Sequence, residues 1–249
     1  MTHDPRVVRT ARAVTVGAEI LSGKIQDSNS HELAKTLRRL GIELLSIAVV
    51  ADDIDAIQKA VREASAQADV VFTSGGIGPT HDDKTLEGVA RALDRALVPF
   101  TDAPAAILAE FDAFACTAPA VPAGYHLVCL GNSRWPTLVV DNVWMLPGIP
   151  ELFKLKMSCI GEHLVGPTPL FSRSMFLSAD EFELVGELNR VVENHPGVEV
   201  GSYPAWNNSR YRTQVTFDAR NHGALNVAYE EFEARVRGFV VPYDPAQPG

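Results

Sequence analysis

The ten residues Ser74-Gly75-Gly76-Ile77-Gly78-Pro79-Thr80-His81-Asp82-Asp83 combine a glycine-rich turn with a pair of carboxylates. Glycine has no Cβ, so the N–H groups of Gly75, Gly76 and Gly78 can approach a bound anion, and a helix beginning behind them adds the positive end of its dipole. Two adjacent acids repel bare phosphate but suit a divalent cation, Mg or similar, held against a phosphate-bearing ligand. The pattern points to a metal-assisted phosphate site. A capping box from Thr80 to Asp83 accounts for the same residues without a ligand. No Gly-Lys-Ser/Thr follows, so this is not the nucleotide P-loop, and the Gly-x-Gly-x-x-Gly dinucleotide fingerprint is missing.

The elements that must position this loop follow from periodicity. Ala68 to Thr73 is an apolar run feeding the loop, and Ala11 to Gly17 reads as an earlier strand. Asp27-Ser28-Asn29 offers a cap for a helix with Leu33, Leu37 and Leu40 on one face, which Gly41 ends. Ile42 to Val50 is almost continuously apolar, as expected of a strand covered on both faces. Asp52 and Asp53 precede a helix carrying Ile54, Ile57, Val61 and Ala64. This alternation implies a parallel sheet with helices on both faces, whose ligands bind beyond the carboxyl ends of the strands. Three loops reach such an end: Gly17 to Gly23, the glycine loop, and Leu146 to Pro150 after the strand Val143-Trp144-Met145.

A helix is expected from about Pro104 to Ala115, and another from Glu151 to about His163 closes the first domain. Gly166-Pro167-Thr168-Pro169 has linker composition and places the boundary at residue 167, giving domains 1–167 and 168–249. Beyond it, strands at Leu170–Leu177, Val198–Tyr203 and Tyr211–Phe217, with helices from Asp180 and around Leu225 to Phe239, make a small β-α-β-β-α domain of the α+β class.

The 249 residues, 46% of them apolar, suffice to bury a full core. A net charge of −9 argues against a general nucleic-acid or membrane-surface binder. Cys116, Cys129 and Cys159 show neither zinc spacing nor a disulfide framework, which fits a reducing cytoplasm. No apolar leader opens the chain, and no stretch of about 18 apolar residues suggests a membrane span.

Three segments, Gly17 to Asn29 (GAEILSGKIQDSN), Ser74 to Thr85 (SGGIGPTHDDKT) and Leu146 to Pro150 (LPGIP), together resemble the molybdopterin-binding, MoaB/Mog-like family. Within it they are most similar to the N-terminal part of competence/damage-inducible protein A (CinA). Trp135-Pro136 through Leu146-Pro147-Gly148 looks closer still to the pterin-binding-type domain of eukaryotic FAD synthases. The Asn- and Gly-rich stretch usual before the Leu-Pro-Gly loop is shortened around Gly131 to Thr137, and no amidohydrolase domain is contained. The resemblance implies a three-layer α/β/α sandwich with a mostly parallel sheet, homo-oligomers, and molybdopterin or an adenylylated pterin as ligand. CinA-like relatives further imply a divalent-metal pyrophosphatase acting on ADP-ribose or FAD.

On these grounds Asp82, Asp83 and Glu19 are the candidate metal ligands and catalytic acids. The loop amides, with Ser74, Thr80, Asn29, Pro147 and Gly148, are candidates for holding the phosphate-bearing ligand. Asn29 and Asp53 can instead cap their helices, whereas Glu19 has no evident capping task. A non-catalytic pterin-phosphate carrier would use the same loops. Arg210, Tyr211 and Arg212 alternate near Trp206-Asn207-Asn208 and suggest RNA binding less well than they suggest a sheet's solvated face.

Overall fold

The computed structural model describes residues 4–101, 104, 105, 107–109, 118–131 and 135–243. The chain divides into two units, Met1–Pro167 and Thr168–Gly249. The first runs β1 (Arg6–Val7), β2 (Thr10–Val16), α1 (Ala18–Leu21), α2 (Ser28–Arg39), β3 (Glu43–Val50), α3 (Ile54–Gln67), β4 (Val70–Ser74), α4 (Thr85–Ala92), β5 (Leu97–Pro99), β6 (Ala120–Pro122), β7 (His126–Val128), β8 (Thr137–Val140), β9 (Val143–Leu146), α5 (Pro150–Cys159) and β10 (Leu164–Val165). Its main sheet has the order β3-β2-β4-β9-β8-β7. The first four of these strands pair in parallel and the last two antiparallel.

Side chains alternate across the strands and build a core on each face. Val14, Val16, Val71, Val143 and Met145 pack with Ile57, Val61, Leu86 and Val89 of α3 and α4. Ala11, Ala13, Val70, Phe72 and Trp144 pack with Leu33 and Leu37 of α2 and with Phe153 and Met157 of α5. The result is a three-layer α/β/α sandwich with a mostly parallel sheet. The central strand β4 is buried at every position.

Several expectations are corrected. The apolar run of β3 is not covered on both faces: β3 is the sheet edge, and Leu45 and Ile47 stand 41% and 42% exposed. Continuous hydrophobicity does not report where in the order a strand falls. The helix after the glycine loop begins at Thr85, so Asp82 and Asp83 lie in the turn before it and not in its first turn. Strands β5, β6 and β8 are not visible in the sequence, since each has only three or four residues, too few to show a period. The helix expected over 104–115 falls mostly outside the described residues.

The second unit runs β11 (Phe171–Leu177), α6 (Glu181–Asn194), β12 (Glu199–Pro204), β13 (Thr213–Ala219) and α7 (His222–Val236). Its antiparallel sheet has the order β11-β13-β12. Met175, Val215 and Phe217 meet Leu184 and Val191 of α6 and Leu225 and Phe232 of α7 in one core. Asp180 and Glu183 start α6 with a reciprocal capping box. Arg210 to Arg212 precede β13 instead of alternating along it. Arg212 pairs with Asp180 at 3.0 Å, Arg210 lies over the ring of Tyr243, and Tyr211 packs on Phe176. These contacts occupy Arg210, Tyr211 and Arg212, while Trp206 stands 88% exposed.

Phe72 is 1% exposed between α2, α5 and the sheet. Phe72→Ala is expected to destabilise the first unit by about 3–5 kcal/mol, read as a lower denaturant midpoint with an unchanged slope.

Candidate functional site

The strand ends of the first unit open into a cavity of about 970 Å³. Glu19, Asn29, Ser74 to Thr80, Asp82, Asp83, Pro147 and Gly148 all line it. Parallel strands β2, β3, β4 and β9 point their carboxyl ends the same way, so the loops that leave them share one rim. The three loops expected to converge are thus brought together.

The glycine loop is held by backbone contacts that leave no room for side chains. Gly75 and Gly76 have φ of +95° and +64°, and a Cβ on Gly75 would strike the carbonyl oxygen of Val16. Thr85 Oγ1 donates to the Gly75 carbonyl at 2.8 Å, and the Thr85 amide donates to that of Gly76 at 2.9 Å. The Gly75 amide extends the sheet by donating to Leu146 at 3.2 Å, so it is not an anion donor. The amides of Gly76, Ile77 and Gly78 have no acceptor among the described residues. Ile77 was not singled out in the sequence, although its place inside the loop carried the signal.

Asn29 and Ser74 serve each other before they serve a ligand. Asn29 Nδ2 donates to Ser74 Oγ at 3.0 Å and to the Gly148 carbonyl at 2.8 Å, while Ser74 Oγ donates to the Pro147 carbonyl at 3.4 Å. Both residues are 7% exposed. Asn29 does not cap α2; Asp27 does, by accepting from the Ser30 amide at 2.9 Å. Asp53 caps α3 through the Ala56 amide, and Asp52 accepts from the Ala18 amide at 2.8 Å.

The acids differ in how they are held. Asp83 accepts from the Thr80 amide at 2.8 Å, and the Thr80 hydroxyl lies 2.6 Å from Asp82 Oδ1 and 2.5 Å from Asp83 Oδ2. One hydroxyl proton serves one carboxylate at a time, so the turn brings two anions together with a single donor between them. The Thr80 hydroxyl, then the Asp82 amide, holds the Asp82 carboxyl below its ordinary range. The Glu19 carboxylate stands beside Gly17, with no hydrogen-bond partner among the described residues. Among those residues no three His, Cys, Asp or Glu side chains are grouped to hold a metal. The Asp82/Asp83 pair nevertheless fits Mg, which keeps several waters and binds through one or two carboxylates plus substrate phosphates.

Part of the cavity wall is apolar, with Leu86, Phe100, Trp135 and Leu138 in one packed cluster. Lys156 of α5 lines the same cavity at 2% exposure. It escaped the sequence reading, but its place on the buried helical face with Phe153 and Met157 was a visible anomaly. Cys129 and Cys159 are free thiols, and among the described residues no helix is long and apolar enough to cross a membrane.

Comparison with known proteins adds family context. Residues 12–166 match the family model described as "Probable molybdopterin binding domain", and residues 169–244 match "FAD synthase, middle domain". A protein of Archaeoglobus fulgidus is 34% identical over 88% of this chain and 95% of its own. A "Probable FAD synthase" of Caenorhabditis elegans is 30% identical over 98% of this chain; the chain spans 53% of that relative's length. Among solved structures, the protein CinA from Thermoplasma acidophilum, itself described as of unknown function, superposes with a TM-score of 0.54 at 31% identity, covering 60% of this chain and 94% of that one.

Removing the Asn29 amide should loosen the rim without unfolding the sheet. Asn29→Ala is expected to cost about 1–3 kcal/mol by stranding the Gly148 carbonyl, and Asn29→Asp to cost at least as much, because a carboxylate cannot donate to that carbonyl. Thermal melts of the two variants beside wild type measure this.

Proposed function

Because the chain belongs to the probable molybdopterin-binding domain family, with a FAD synthase-type middle domain behind it, we propose that the strand-end cavity binds a nucleotide diphosphate or pterin phosphate and hydrolyses the diphosphate of a dinucleotide such as FAD or ADP-ribose. The observation that carries this reading is the juxtaposition of the unengaged amides of Gly76, Ile77 and Gly78 with the Asp82/Asp83 pair and the unpartnered Glu19 on one rim. Amides alone suit a phosphate; paired acids beside them suit the cation that accompanies a diphosphate.

In this mechanism the amides fix the diphosphate oxygens and the braced rim holds the phosphorus in reach of water. Asp82 and Asp83 would hold a divalent cation, which when bound would neutralise charge developing on the phosphate oxygens. Glu19 accepts a proton from the attacking water and passes it to solvent. The water oxygen bonds to phosphorus, the bridging P–O bond breaks, and its electron pair leaves with the second phosphate, giving two monophosphates. A second reading, a non-catalytic pterin-phosphate module in molybdenum cofactor assembly, is favoured by the lack of a three-residue metal cluster among the described residues.

Incubation of the protein with FAD and with ADP-ribose plus Mg separates the two. The hydrolytic reading expects monophosphate products and a loss of at least about tenfold in rate for Asp82→Asn; intact dinucleotide with wild type rejects it. A pH profile tests the turn. Asp82 has a lowered pKa, so its ionised form survives as pH falls through the ordinary carboxylate range. Thr80→Val removes the largest cause, and the acid limb of activity is expected to move to higher pH; an unmoved limb means that Asp82 is not the group titrating.

A further inference from the structure

The hydrolytic scheme leaves the cavity's buried lysine unused. Lys156 is 2% exposed, and its Nζ donates to the Trp135 carbonyl at 2.5 Å and to Thr137 Oγ1 at 3.0 Å. Both acceptors are neutral, and among the described residues the ammonium pairs with no carboxylate. Burying an unpaired ammonium costs several kcal/mol. Desolvation accordingly brings its pKa down from 10.5 to about 8, with Cys129 acting weakly the other way. Ammonium carries three donors, and the two protein acceptors leave one.

The surroundings indicate what that donor meets. The amides proposed to hold phosphate lie on the loop between β4 and α4, whereas Lys156 lies on α5 and donates to Trp135 and Thr137, and the cavity there carries the apolar side chains of Trp135, Pro136 and Leu152. Such a surface receives a planar ring and excludes water from it. A buried donor beside a ring is satisfied by an exocyclic carbonyl oxygen and opposed by an exocyclic amino group, which offers only further protons.

We propose that Lys156 determines ligand specificity, its remaining N–H donating to an oxo group on the ligand's planar ring, so that the cavity prefers phosphate esters of oxo-bearing heterocycles to those of amino-bearing ones. This rests on the proposed seating of phosphate at Gly76 to Gly78. Lys156 is thus a binding residue for the ring and takes no part in P–O cleavage.

Inosine and adenosine monophosphates differ at the purine six-position, oxo in one and amino in the other, and serve as the probes. Calorimetric titration at pH 7 is expected to show the inosine compound bound about ten- to a hundredfold tighter. Lys156→Met should abolish that ratio by weakening the inosine compound while leaving the adenosine compound unchanged. Lys156→Gln, which restores a neutral donor, should recover part of it, and melting curves check that both variants fold. Equal binding of the two probes by wild type, or an equal loss of both in Lys156→Met, overturns the role of Lys156 and leaves the phosphate site standing. Failure of both probes to bind wild type overturns the phosphate site and this inference together.

Discussion

The cavity depends on one buried amide. Asn29 reaches from the start of α2 to Ser74 at the end of β4 and to Gly148 beyond β9, joining segments far apart in sequence. Strand-end loops owe their shape to few contacts of their own and are the mobile parts of an α/β sheet. A side chain that donates both of its N–H bonds at 7% exposure, out of competition with water, fixes their separation. The backbones add a steric counterpart: a Cβ on Gly148 would sit 3.1 Å from the Gly75 Cα, so the two loops touch as bare main chain. Attraction through Asn29 and close approach through glycine together set where the free amides lie.

The fold was legible where the residues act through periodicity. The helices over Leu33 and Leu37, over Ile57 and Val61 and over Leu184 and Val191, the strand through Phe72, and the β-α-β-β-α order of the second unit all show a regular spacing of apolar positions. What was not legible depends on neighbours distant in sequence. The apolar β3 looks the same at an edge as at the centre, and the three- or four-residue strands β5, β6 and β8 owe their conformation to partners. The start of α4 at Thr85 is likewise a tertiary fact, set when Thr85 bonds the carbonyls of Gly75 and Gly76.

At the site, residue types were easier to read than their tasks. Glycines and acids stood out because few structural roles demand them in that order. The sequence could not show that the Gly75 amide is spent on Leu146, that Asn29 braces and does not cap, or that Asp27 and Asp53 are the caps. Each of these is a choice among polar partners equally available along the chain. Lys156 is the converse case, a charge on the buried face of α5 whose meaning appears only once a cavity is found beside it.

Charge decides what else must enter with an anion. Of the five carboxylates lining the cavity, Asp27, Asp52 and Asp83 each accept a backbone amide, whereas Asp82 and Asp83 share one threonine hydroxyl; Glu19 and this pair set the potential of the rim. An anion beside these acids is repelled by each of them, less so where solvent screens the charge, and hydrogen bonds from the few free amides must work against all three. A diphosphate bound as proposed would therefore enter in company with a cation, and the closeness of Asp82 to Asp83 around a single hydroxyl makes that turn the place where such a cation would relieve most repulsion.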